Sequence, residues 1–63
     1  MTDLFDDRAV PLHVQIEAAR REAQIRRKVY PGWVERGRMK QVDADREIAA
    51  MEAIVETLKG LAP

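Results

Sequence analysis

The stretch ADREIAAMEAIVETLKGLA, residues 44–62, decides the fold. Ala44, Ile48, Met51, Val55, Leu58 and Ala62 recur at alternating steps of four and three residues. That alternation places them on one stripe of a helix that packs along a seam. Asp43, Asp45, Arg46, Glu47, Glu52, Glu56 and Lys59 occupy the positions between. Such a stripe needs a second helix to cover it.

The covering helix is found upstream. Leu12, Ile16, Ala19, Ala23 and Tyr30 share one face, with Arg26 or Arg27 falling between the last two. Val14, Ala18, Ile25 and Val29 form a second stripe more than a quarter-turn away. A helix in a monomeric hairpin needs one stripe. Two stripes predict two neighbours: the second helix of the chain, and a second copy or a target protein.

Punctuation sets the boundaries. Pro11 suits the start of helix one, where a missing N–H costs nothing. Pro31 followed by Gly32 predicts a bend or an end, with Trp33 and Val34 returning to the apolar side up to Arg36. Gly37 fits a left-handed cap. Residues 37–40 are long enough for an antiparallel reversal. Helix two is expected over residues 41–59, with Asp43 and Asp45 favourable near its positive end and Gly60 as its stop. The predicted organisation is an acidic, flexible tail over residues 1–10 and an all-α helical hairpin over residues 11–63. Helix one spans about residues 11–36 with a bend at Pro31. Two such hairpins would form a four-helix bundle.

Composition narrows the function. The chain has 63 residues, so it makes one domain at most and is short enough to need a staple. It has no cysteine, which removes disulfides and zinc–thiolate sites. Self-association is the remaining staple, and a homodimer is expected. The net charge is zero, which gives no global attraction to nucleic acid. Helix one is nevertheless basic and helix two mildly acidic, so the two should attract each other. No apolar run approaches the roughly 20 residues that span a bilayer. The opening MTDLFDD lacks the basic start and apolar core of a signal peptide. The chain reads as soluble and cytoplasmic, without membrane contact.

Two groups are candidates for partner binding. Arg20, Arg27 and Lys28 share a basic face on helix one, suited to an acidic protein surface or to phosphates. Tyr30 and Trp33 flank Pro31-Gly32 and offer an aromatic anchor near the hairpin tip. Ile16, Ile25, Ile48, Met51, Val55 and Leu58 are the candidate core and dimer residues. No catalytic residue, metal ligand or cofactor is assigned. Catalysis would require a nucleophile or base held beside a concave pocket. His13 has no such partner in the sequence, and a two-helix layer offers little cleft.

The segment RRKVYPGWVERGRMKQVDADREIAAMEAIVETL, within residues 20–58, resembles very small proteins of bacteriophages and prophages of proteobacteria. Its marks are Arg26-Arg27, Val29-Tyr30-Pro31, Trp33-Val34 and Gly37-Arg38-Met39, followed by the helical part from Ala44. The resemblance implies a helical-hairpin phage product in the bacterial host cytoplasm. Its closest functional analogue is the anti-quorum-sensing type of phage host inhibitor, a small helical dimer. It carries no functional residue over to this chain. The expected function is therefore a non-enzymatic interaction protein that binds and inhibits or redirects a host protein. The alternatives are a ROP-like dimeric hairpin that binds nucleic acid, and a phage assembly or structural factor.

Overall fold

The computed structural model describes residues 10–63. The expected acidic tail lies outside the described residues, apart from Val10. Two helices, α1 (Leu12–Glu35) and α2 (Gln41–Gly60), pack against each other as an antiparallel hairpin. There is no strand among the described residues. The all-helical hairpin expected from the two periodic stretches is what the chain forms.

Pro11 takes the cap position before α1, and its carbonyl accepts the N–H groups of Val14 and Gln15. The Gln15 side-chain amide donates back to the Val10 carbonyl at 3.1 Å. The helix start is thus fixed without a serine or aspartate cap. Lys40 precedes α2 in the same way, its carbonyl accepting from Asp43 and Ala44.

Pro31 does not end α1, which continues as α-helix to Glu35. The missing N–H removes one rung, the donor to the Arg27 carbonyl. The last turn is held by packing instead. The Tyr30 and Trp33 rings stack across the proline, with centroids 5.3 Å apart. Tyr30 and Val34 are half-buried on the side of α2, while Pro31 itself is exposed.

Gly37 has φ 74°, the left-handed value its position requires. The Arg38 N–H reaches the Trp33 carbonyl at 2.8 Å and the Gly37 N–H reaches Val34 at 3.0 Å. This pair of bonds is a Schellman cap. A Cβ at Gly37 would meet nothing within 4 Å, so the cost of a side chain is conformational. Gly37→Ala is expected to cost about 1–2 kcal/mol and to lower the melting midpoint, with Gly37→Asn losing less. Thermal melts followed by circular dichroism check this. Gly60, expected to stop α2, is instead its last helical residue, and Leu61 follows in right-handed conformation.

The seam is built from small residues. Ala19, Ala23, Ala44 and Val55 are the buried apolar residues, and Ala44 is the most enclosed at 2% exposure. Leu12, Ile16, Ile48, Met51 and Leu58 are half-buried around them. Alanine at facing positions lets two helix backbones come close, but it removes little apolar area from water. Among the described residues no large side chain is fully buried. Among the same residues the two helices form a single layer, and each has one helical neighbour.

Candidate functional site

Two arginines cross from α1 to α2. Arg26 occupies the seam position that the spacing left open between Arg26 and Arg27. Its Nη1 donates to the Glu47 carbonyl at 3.0 Å, and its Nε donates to Glu22 Oε1 at 3.0 Å. The Glu47 carboxylate lies 3.8 Å away, and the guanidinium stands 6.0 Å from the Tyr30 ring centroid. The hydrogen bond to Glu22 pushes the Arg26 pKa above the ordinary arginine value. Arg27 turns to the other side and pairs with Glu52 through Nε and Nη2. Basic α1 and acidic α2 therefore attract each other through named pairs.

The Arg27–Glu52 pair is largely exposed, at 61% and 41% of the two side chains. A double-mutant cycle on it should return no more than about 1 kcal/mol, falling as salt rises. Arg26→Ala should cost more, because the Arg26 side chain is only 21% exposed and its apolar stem packs along the seam. Urea unfolding of the single and double variants separates the two cases.

The hairpin has two unlike broad faces. Each helical residue advances about 100° round the axis. Arg27, Arg20 and Gln24 lie roughly 60–120° from the seam of α1 in one sense. Glu52 and Glu56 lie about 80–120° from the seam of α2 in the same sense. Because the helices are antiparallel, equal senses bring these residues to one side of the layer. The Arg27–Glu52 pair joins them there. Between them runs an open groove of about 360 Å³, floored by Ala23 and Val55 and walled by Arg20, Gln24, Arg27, Glu52 and Glu56.

The opposite face carries the outward apolar residues of both helices, with Asp43 and Thr57 among them on α2. Val14, Ala18, Ile25 and Val29 lie about 100–160° from the α1 seam in the other sense. Ile54, Ala50 and Leu61 lie about 80–120° from the α2 seam, also in that sense. Val14, Ile25 and Ile54 are 38%, 47% and 46% exposed. The Arg26–Glu22–Glu47 cluster sits on the rim of this face, close to the seam.

The sequence-assigned residues divide between these faces. Arg20 and Arg27 line the charged groove. Lys28 is exposed on the outer edge of α1, between the two faces. Tyr30 is half-buried and serves as the ledge on which Trp33 stacks; Trp33 is 40% exposed on the apolar side near the tip. Ile16, Ile48, Met51, Val55 and Leu58 line the seam, whereas Ile25 lies away from it. Sequence reasoning missed Arg26 and Glu47 as a cross-helix pair and Ile54 as part of the outer face. Ile54 was visible as an apolar residue one step off the α2 stripe.

Among the described residues, no group of three or more acidic or histidine side chains could hold a metal ion. Among the same residues, no helix is long and apolar enough to cross a membrane. Comparison with protein-family models, with curated proteins and with solved structures finds no match.

Proposed function

We propose that this chain is a non-enzymatic interaction protein that dimerises into a four-helix bundle and binds a second, different protein. The observation that supports this is the division of the hairpin into two unlike faces. An exposed apolar face with Val14, Ile25 and Ile54 lies back to back with a charged groove. Exposed apolar residues gathered on one side mark association surfaces. The resemblance to phage proteins makes the partner a host protein in the bacterial cytoplasm, which the dimer inhibits or redirects by covering a functional surface. Anti-quorum-sensing inhibitors are the functional analogue. Arg20, Arg27, Lys28, Tyr30 and Trp33 are the proposed contact residues.

A nucleic-acid role is less well supported. The groove that holds Arg20 and Arg27 also holds Glu52 and Glu56, and Arg27 is engaged by Glu52. A phosphate backbone laid there would meet carboxylates. The test is twofold. Light scattering should report twice the chain mass at micromolar concentration. Arg20→Glu with Arg27→Glu should abolish capture of the host partner while circular dichroism stays unchanged. A monomer would remove the dimer. Retained capture would move the binding surface away from the basic residues. Salt-sensitive RNA binding by the unaltered chain would favour the nucleic-acid alternative.

A further inference from the structure

The spacing of the second stripe of α1 reads the same in both directions. Val14, Ala18, Ile25 and Val29 are separated by four, seven and four residues. The stripe is symmetric about the point between Arg21 and Glu22. Such a spacing suits a two-fold interface, in which residue i of one copy meets residue j of the other and j meets i. We infer that a second copy of this chain covers the apolar face with its own α1 running antiparallel to the first, the two-fold axis passing between Arg21 and Glu22.

In that arrangement Val14 meets the partner's Val29, and Ala18 meets the partner's Ile25. Ala18 thus faces a larger residue, as close packing of two helices prefers, and Val14 faces one of its own size. The flanking charges agree. In antiparallel helices a given flank of one helix faces the same flank of the other. Glu17 and Lys28 share the outer flank of the stripe, and Glu17 then lies within about 3 Å along the axis of the partner's Lys28. Symmetry makes this pair twice. Arg21 and Glu22 are equally near the axis; Arg21 meets its own copy, with the partner's Glu17 about 7.5 Å further along.

Helix α2 gives independent support. Arg26 and Arg27 stand beside the stretch between Glu47 and Glu52, centred on Ala49 and Ala50. Five residues back along α1 is the proposed axis; five residues forward along antiparallel α2 is Ile54–Val55. Ile54 points to the apolar face and is 46% exposed. It falls at the level of the axis, where it would meet the partner's Ile54. A point chosen from α1 alone thus lands on an exposed large apolar residue in the middle of α2.

This inference rests on the proposed dimer and adds its geometry. The chain has no cysteine, so single cysteines report cleanly. Val14→Cys and Val29→Cys proteins, each made separately, are mixed and treated with a short bis-maleimide. The mixture should give the 14–29 cross-linked dimer. Neither variant alone should cross-link within the dimer, because its two cysteines would stand about 22 Å apart along the axis. Lys28→Glu should raise the dimer dissociation constant roughly tenfold, and adding Glu17→Lys should restore it. Cross-linking of either single variant with itself would mean parallel α1 helices and overturn the inference. A dimer by light scattering that gives no cross-link in the mixture overturns this geometry but leaves the dimer standing. A monomer overturns both.

Discussion

Val55→Asp is expected to unfold the hairpin. Val55 is the largest of the buried seam residues, and it also floors the charged groove. A carboxylate there would lose most of its hydration beside Glu52 and Glu56, and of the two arginines on the groove Arg27 is already paired with Glu52. The effective penalty for such an ion is several kcal/mol. A chain of this length has only roughly 3–9 kcal/mol of stability to lose. Far-UV circular dichroism should lose most of its helical signal. Ile48→Asp should act in the same direction but less completely, since Ile48 is half-buried. A folded Val55→Asp protein would mean that the seam tolerates charge and that the hairpin is held by something other than this packing.

Ala44→Leu should destabilise the protein although it adds apolar surface. Ala44 is 2% exposed and is the most enclosed buried residue. Extra methylenes in a closed seam force side chains off their rotamers or helices apart, at about 1–3 kcal/mol. Each kcal/mol lowers the melting midpoint by roughly 4–8 °C in a domain of this size. Ala53→Leu is the control, because Ala53 is exposed and the substitution there should change the midpoint little. Melts of both variants at one protein concentration decide the matter. A rise in midpoint for Ala44→Leu would show that hydrophobicity, and not close approach, limits the seam.

The parts of this fold that could be read from the sequence are those with a strict period. Ala44 and Val55 were expected in the seam from their spacing and are buried. Gly37 was expected to be left-handed from its place after a helix and has φ 74°. Arg26 was harder. The rule that charged residues face water makes a seam arginine an interruption, whereas the structure uses its length. The apolar stem passes along the seam while the guanidinium reaches Glu22 and the Glu47 carbonyl. Pro31 was harder for a different reason. A proline removes one rung, but side-chain packing on both sides of it, through Tyr30, Trp33 and Val34, keeps the turn helical. The division into two faces needed the structure. Each helix shows its stripes separately, but which stripes share a side depends on how the two helices are placed against each other. The Arg27–Glu52 pair supplies that information.

The alanines of the seam carry a consequence for how such a chain can evolve. What Ala19, Ala23 and Ala44 contribute is their small size, and selection at these places acts on volume. The positions around the charged groove face solvent, where substitutions usually change stability little. Arg20, Gln24 and Glu56 are therefore free to be exchanged without disturbing the scaffold beneath them. A lineage of such chains can change its binding partner by rewriting one side of a single helical layer, while three alanines stay fixed.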